Sequence, residues 1–136
     1  MPSFLLPLSV AVLKSLWLRT VANRLSYYDK SLGDEEAITV GTLHTDVPGW
    51  AEAQISFIKS SGFQPLKTMR GLQEKKVKTV VVWGENDQVL PKGYKEKFID
   101  AWGKENVKEI EECGHVPHLE KPKLTAEIIN EFVAQL

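Results

Sequence analysis

Two stretches of the chain decide its fold: 80-VVVWGENDQVLP-91 and 111-EECGHVPHLEKP-122. The first continues a β-branched run that closes at Gly84, a pattern typical of a buried parallel strand. The second contains the end of a heavily charged run, which predicts a strand suited to the edge of a sheet. An acid, Asp87, stands just after the first predicted strand, and a histidine, His115, stands just after the second.

Each of these strands is followed by a helical pattern. The run 91–103 begins with proline and ends with glycine, as helices often do, and the run 121–136 forms a closing amphipathic helix. The apolar residues recur four apart: Tyr94, Phe98 and Trp102 in the first, and Leu124, Ile128, Phe132 and Leu136 in the second. Strand, helix, strand, helix implies a right-handed parallel crossover. Residues 76–136 are therefore predicted to be α/β.

Residues 1–75 have only helical patterns. Val10, Leu13, Trp17 and Val21 recur at helical spacing and predict one amphipathic helix. A signal peptide is disfavoured, because no positive charge precedes the apolar run and no small-residue cleavage site follows it. The run is also too short to span a bilayer.

Three further helices are predicted in this half. Asp34 is expected to cap a helix with an acidic first turn. Another helix is expected from near Trp50 to Gly62, and a short one around Leu66, Met69 and Leu72.

The composition of the chain argues against some classes of function. The chain has 136 residues, with 17 basic and 18 acidic side chains scattered along it. A nucleic-acid partner would demand a concentrated positive face, so nucleic-acid binding is not expected. The single cysteine, Cys113, cannot form an internal disulfide. These features favour a soluble intracellular location, in the cytosol or an organelle, over secretion, and they leave the compartment open.

The acid and the histidine predict chemistry through their joint placement. In an open parallel sheet, reactive groups gather beyond the carboxyl ends of the strands. Neighbouring strands lie about 4.8 Å apart, so the loops carrying Asp87 and His115 would emerge side by side. The carboxylate would accept the Nδ1 proton of the imidazole and leave Nε2 free to act as a base. Gly114 is expected to allow a tight turn before the histidine, and Pro117 to stiffen the loop after it.

Taken singly, each residue has an ordinary explanation. An aspartate in such a turn is usually a turn former, and a lone histidine is usually a polar surface residue. Their occurrence after consecutive strands is what favours function.

In order, spacing and flanking residues, Val77 to Leu136 resembles the C-terminal portion of the α/β-hydrolase superfamily. The resemblance implies that Asp87 is the acid and His115 the base of a catalytic triad. It also implies that His118, Glu120 and Pro122 support the histidine loop. No metal or cofactor is implied, and the triad chemistry needs none.

Residues 1–75 resemble, less specifically, the helical cap that many members insert above the sheet. A cap shapes substrate access, so Tyr27, Tyr28, His44 and Trp50 are candidate substrate-binding residues. Tyr27 or Tyr28 is a candidate counterpart of the cap tyrosines that donate protons in epoxide-opening relatives. Ordinary packing is the alternative for each of the four.

The family places its nucleophile in a G-x-S-x-G elbow, and the sequence contains no such motif. The family order of nucleophile, acid and histidine would place it before residue 1. The S-x-x-K at Ser56 to Lys59 lacks its companion motifs, and Cys113 is expected to pack as a small apolar group. The chain is therefore expected to be inactive alone, as part of an enzyme that hydrolyses a small apolar ester, epoxide or similar substrate.

Two non-enzymatic readings remain open. Val80 to Val82 would form a hydrophobic strand edge, which favours association with another chain and a binding or regulatory role. A hydrolase-derived receptor for a small ligand is the other reading, since such receptors can keep the triad.

Overall fold

The computed structural model describes residues 6–60, 65–91 and 93–136. The described residues form eight α-helices, three short 3-10 helices and two β-strands. In chain order the helices and strands are α1 (Leu6–Lys14), α2 (Leu16–Ser26), α3 (Glu35–Thr42), α4 (Trp50–Lys59), α5 (Pro65–Glu74), β1 (Val81–Gly84), α6 (Tyr94–Trp102), β2 (Val107–Ile110), α7 (Pro117–Glu120) and α8 (Pro122–Val133). The 3-10 helices are Lys30–Leu32, Leu43–Asp46 and Lys104–Asn106.

The first predicted helix is two helices. Ser15 separates α1 from α2 and caps α2, because its side chain accepts a hydrogen bond from the backbone N–H of Leu18 at 3.4 Å. Because of this break, the apolar residues do not form the single buried stripe that was predicted. Val10 is buried, whereas Trp17 remains 73% exposed. Helical spacing cannot report such a break, because a serine is tolerated inside a helix as well as at its start.

Two other helices of the first half begin after a residue that suits a helix start. The Asp34 side chain accepts from the backbone N–H of Ala37 at 2.8 Å, which confirms the predicted cap of α3. Gly49, with φ 83°, precedes α4, a conformation that glycine adopts at little cost. α4 ends at Lys59, and the predicted stop at Gly62 lies outside the described residues. α5 occupies the region of the predicted short helix.

The sheet consists of β1 and β2, which pair in parallel, as the sequence predicts. Val81 lies opposite Val107, and Gly84 lies opposite Ile110. Each strand is only four residues long. Residues 77–80, the start of the predicted strand, lie before β1, because among the described residues the ladder with β2 begins at Val81.

The helices of the second half pack aromatic side chains over this sheet. Phe98, on α6, lies between two tryptophans: its ring centroid is 5.9 Å from Trp83 on β1 and 5.9 Å from Trp102 on the same helix. The predicted spacing of four thus lets Phe98 and Trp102 stack on the same helix, while Phe98 meets Trp83 at a tilt of 51°. The closing helix α8 starts at Pro122 after the separate one-turn helix α7, and it ends before Leu136.

Three buried apolar residues of the sheet half lie on β2 or in the loop directly after it. Val107, Ile110 and Cys113 are buried, and Ile110 and Cys113 are the largest fully buried side chains of the described residues. β2 therefore anchors the loop that carries the histidine. Within the described ranges, no helix combines the length and apolar character that crossing a membrane requires.

Candidate functional site

Backbone hydrogen bonds join the loops that follow β1 and β2. We call residues 85–90 the acid loop and residues 111–116 the histidine loop. Glu85 N donates to Ile110 O at 2.9 Å, and Asn86 N donates to Cys113 O at 2.9 Å. These bonds continue the pairing of the strands beyond their ends, so the two loops leave the sheet side by side.

Asp87 is held mainly by its own loop. Its Oδ1 atom accepts hydrogen bonds from Val89 N at 2.8 Å and Leu90 N at 3.0 Å, a turn in which an aspartate often occurs. The other oxygen, Oδ2, lies 2.9 Å from Nδ1 of His115. The carboxyl side chain is 5% exposed, so this buried group has a partner on each oxygen.

The contact between Asp87 and His115 sets which ring nitrogen of the imidazole faces the carboxylate. An ionised carboxylate can only accept hydrogen bonds, so the bond places a proton on Nδ1 and leaves Nε2 of a neutral ring as an acceptor. The His115 side chain is 34% exposed. The structure thus brings the two predicted residues together, with the imidazole accessible and the carboxylate covered.

A cavity of about 180 Å³ lies beside the pair. It is smaller than most ligand pockets, which measure about 300–1,000 Å³. Its described lining residues come from β1, the two loops and the helices next to them: Val81, Val82, Trp83, Gly84, Asp87, Leu90, Phe98, His115 and Pro117. The cavity is therefore mainly apolar, with the acid and the imidazole at its wall.

Two glycines let three backbone segments meet at the histidine. A Cβ atom on Gly84 would lie 1.9 Å from the carbonyl oxygen of Gly114, and one on Gly114 would lie 2.4 Å from the carbonyl oxygen of Ser26. Both distances are far below van der Waals contact. Gly114 was expected to allow a tight turn before the histidine, and the chain bends at His115, directly after it. The bend does not use a positive φ at Gly114; among the described residues of this loop it is Glu112 that has one, of 48°. Gly114 is required by close approach.

Glu120 binds three backbone N–H groups with one carboxylate. Oε2 accepts from Gly114 N at 2.7 Å and from Tyr28 N at 3.1 Å, and Oε1 accepts from Asp29 N at 2.7 Å. Burial raises the pKa of Glu120, but the three N–H groups and nearby Lys121 lower it by more, so its net pKa is below the ordinary value. The family resemblance implied a supporting role for Glu120, and the sequence gave no sign that its partners include residues of the helical half.

Cys113 is enclosed. Its side chain is fully buried, and burial, with a smaller contribution from the charge of Glu120, raises the pKa of the thiol to about 11. A thiol in this state is a poor nucleophile, because the thiolate is the reactive form. This agrees with the prediction that Cys113 packs as a small apolar group.

The four candidate substrate-binding residues belong to the helical half of the chain. Tyr27 and Trp50 are buried, whereas Tyr28 and His44 are exposed. The rings of His44 and Trp50 are 6.1 Å apart, and the Arg19 guanidinium lies over Trp50 at 5.6 Å. None of the four is among the described residues that line the cavity. Their role in binding stays a prediction.

Metal ligation has no support in this part of the molecule. Within residues 6–60, 65–91 and 93–136, no group of three or more His, Cys, Asp or Glu side chains is placed to hold an ion. His118, three residues after His115, is exposed on α7.

Comparison with models of known protein families identifies the family of the chain. The model of the family described as the alpha/beta hydrolase fold matches residues 7–122. The chain belongs to the α/β-hydrolase family. Its two parallel strands and helices constitute part of that fold, as the sequence predicted. Strand pairing and the Asp87–His115 contact occur within the matched region.

Curated relatives agree with the assignment. The chain is 30% identical over 126 residues to the alpha/beta hydrolase domain-containing protein VTE7 of Arabidopsis thaliana, an alignment that covers 92% of this chain and 37% of the relative. It is 34% identical over 61 residues to the monoacylglycerol lipase ABHD6 of Mus musculus, covering 45% of this chain and 18% of the relative. The chain thus spans well under half the length of these relatives. No solved structure matches it significantly.

Proposed function

We propose that Asp87 and His115 are the acid and the base of a nucleophile–His–Asp triad, and that this chain is part of an α/β-hydrolase that cleaves an ester. The observation that supports the proposal best is the 2.9 Å bond between Asp87 Oδ2 and His115 Nδ1 at the carboxyl ends of two adjacent parallel strands. Three features accompany it: the covered carboxylate, the accessible imidazole and the cavity beside them.

Each residue has a defined task in this mechanism. His115 Nε2 takes the proton of the nucleophile as that group attacks the carbonyl carbon of the ester. The resulting imidazolium is stabilised by the buried Asp87 carboxylate. His115 then returns the proton to the departing alcohol, which leaves an acyl-enzyme. In the second half of the reaction, His115 activates the water that hydrolyses this intermediate.

The nucleophile is the member of the triad that the 136 residues do not supply. They contain no G-x-S-x-G motif, and removal of the nucleophile from a serine triad costs about six orders of magnitude in kcat. We therefore infer that the chain on its own has no hydrolytic turnover. The helical residues 1–75 would act as the cap that covers the completed site.

Ester substrates are favoured over epoxides. One relative is named a monoacylglycerol lipase, and a monoacylglycerol is an acyl ester. The apolar part of the cavity wall, formed by Val81, Val82, Leu90 and Phe98, suits the hydrocarbon part of a small ester. The candidate proton donors of an epoxide mechanism, Tyr27 and Tyr28, are not among the residues lining this cavity.

A chimera tests the proposal. This chain would replace the aligned segment of the Arabidopsis relative, and hydrolysis of 4-nitrophenyl butyrate would be followed by absorbance. We expect His115→Ala and Asp87→Asn to lower kcat/KM about a thousandfold or more, because both change the base. Asp100→Asn, which alters an exposed carboxylate on α6, is the matched control and should retain activity.

Two results would defeat the assignment. One is an active chimera whose hydrolysis is unchanged by His115→Ala, since the nucleophile would then have another base. The other is a chimera that folds cooperatively but whose hydrolysis is absent, or is changed by neither His115→Ala nor Asp87→Asn.

The outer edge of β1 supports a second candidate function, association with another chain. Among the described residues β1 pairs only with β2, so its other edge has no strand partner there, and Val81 and Val82 are half-buried beside it. Unpaired edges of this kind accept strands from other molecules. Light scattering coupled to size exclusion tests this: a concentration-dependent dimer supports association, and a monomer at all concentrations excludes it.

A further inference from the structure

The backbone before the His115 ring is held from two sides. On one side, Glu120 accepts the N–H of Gly114 at 2.7 Å. On the other, His115 N donates to Ser26 O at 2.7 Å. Two consecutive backbone donors are thus fixed by different partners. The direction of the Cα–Cβ bond of His115, and hence the reach of its imidazole toward Asp87, depends on the two successive peptides that carry these donors.

The same carboxylate also binds the helical half of the chain. We call Ser26 to Asp29, the residues at the end of α2, the entry segment. Glu120 accepts from the backbone N–H groups of Tyr28 and Asp29, which are 92 and 91 residues away in sequence. Ser26 O, one of the last carbonyls of α2, would lack a helical partner and receives the His115 N–H instead.

The entry segment and the histidine loop contact each other through backbone atoms. Gly114 has no side chain, and a Cβ there would lie 2.8 Å from Tyr28 N as well as 2.4 Å from Ser26 O. Tyr27, which lies between Ser26 and Tyr28 in the entry segment, is buried. Such a fit leaves no room for the entry segment to slide against the histidine loop while the three N–H bonds to Glu120 remain.

We propose that Glu120 is a positioning residue for His115, which acts by fastening the entry segment of the helical half to the histidine loop. It touches neither the imidazole nor Asp87 in the hydrogen bonds of the site. It acts through the Cys113–Gly114 peptide, whose N–H it accepts, and through the entry segment, whose Ser26 O accepts the N–H of His115. The relevance of this role to turnover rests on the proposed function. The three hydrogen bonds to Glu120, which we call the clamp, are a property of this chain and can be measured without any substrate.

The geometry predicts a graded response to substitution. Oε2 accepts two of the three bonds and Oε1 accepts one. A glutamine keeps one accepting oxygen and turns an amide N–H₂ toward the remaining donors, so Glu120→Gln loses at least one bond. Glu120→Ala loses all three. Glu127→Gln, which alters an exposed carboxylate on α8, is the matched control.

Amide hydrogen exchange of the ¹⁵N-labelled chain measures the clamp directly. In Glu120→Ala, the amides of Tyr28, Asp29 and Gly114 should exchange about tenfold faster or more, since each loses a bond to a charged acceptor. In Glu120→Gln, at least one of the three should do so. The amide of Thr125, which bonds to Lys121 O at the start of the last helix, is not a partner of Glu120 and should be accelerated less than these three.

The Nδ1 proton of His115 measures the positioning. In the parent chain and in Glu127→Gln, we expect a downfield resonance from the proton shared with Asp87. In Glu120→Ala, this signal should weaken or vanish through exchange with water, because the imidazole no longer stays against the carboxylate. Glu120→Gln should lie between the two. This signal is one that a merely stabilising side chain would not affect selectively.

Three outcomes would overturn the proposal. The first is unchanged exchange at all three amides in both variants, and the second is accelerated exchange with an intact Nδ1 proton signal. The third is equal acceleration at Thr125, which would reduce Glu120 to a general stabiliser. If the chimera lacks hydrolysis dependent on His115 while these signals behave as expected, the proposed function fails and the positioning role stands.

Discussion

Gly84→Ala is the substitution that best tests the packing of the site. An ideal Cβ at this position lies 1.9 Å from Gly114 O and 2.6 Å from Cys113 O. Real Cβ atoms do not approach closer than about 3.0 Å, so the histidine loop must retreat by about 1 Å. Both obstructing atoms belong to the backbone, and no rotamer change can relieve the clash.

The loop that would have to move is held at several points. Cys113 O accepts from Asn86 N at 2.9 Å, and Gly114 N donates to Glu120 at 2.7 Å. Overpacking of a rigid site costs about 1–3 kcal/mol, and loss of one of these bonds adds about 1 kcal/mol. We therefore expect Gly84→Ala to lower the free energy of unfolding by about 3 kcal/mol.

Urea denaturation followed by tryptophan fluorescence measures this change. Gly71→Ala is the matched control, because Gly71 lies inside α5 and a Cβ there would meet no atom within 4 Å. Alanine should stabilise that helix by about 0.5–1 kcal/mol. A Gly84→Ala chain within about 0.5 kcal/mol of the parent would show that the strand end and the histidine loop are not in the close contact described here.

Three further predictions concern the titratable groups of the site. Asp87→Asn should remove the downfield Nδ1 proton signal of His115, observed by NMR, because an asparagine presents no carboxylate to it; a persisting signal would mean that the proton has another partner. The pKa of Glu120 is lower in the folded chain than in the unfolded one, so its contribution to stability is full above the unfolded value and declines as the pH falls through the folded value. Urea midpoints across that acid range should therefore fall less steeply in Glu120→Gln than in the parent, and equal slopes would contradict the assignment. Cys113, with a pKa raised to about 11, should resist iodoacetamide at pH 8 until urea unfolds the chain; rapid labelling of the folded chain would show that the thiol is accessible.

The sequence predicted the parts of the site that depend on strand ends. A β-branched run closed by Gly84 and a charged run before His115 were enough to place two parallel strands and their loops together. The reason is topological, because parallel neighbours must present their carboxyl ends at one edge. Helix starts marked by a capping side chain, such as Asp34, were predictable for a similarly local reason.

The features that the sequence missed depend on distant partners. Nothing near Glu120 indicates that it will accept from Tyr28, 92 residues earlier. Gly114 has the local appearance of a turn residue, yet its function is to admit Ser26 O, which no local pattern encodes. The stripe that included Trp17 failed because helical spacing is the same for one helix and for two joined at a capping serine.

The acid and the base of the site therefore depend on different parts of the chain. Asp87 is fixed by the N–H groups of Val89 and Leu90, two and three residues away, and would keep its turn if the helical half were displaced. The peptide of His115 is fixed instead by Ser26 and, through Gly114, by Glu120 and the entry segment. A displacement of the helical half that breaks these contacts would thus move the imidazole and leave the carboxylate in place. The alignment of the pair is in this sense a property of the docking between the two halves, because the N–H of His115 bonds to Ser26 O of the helical half.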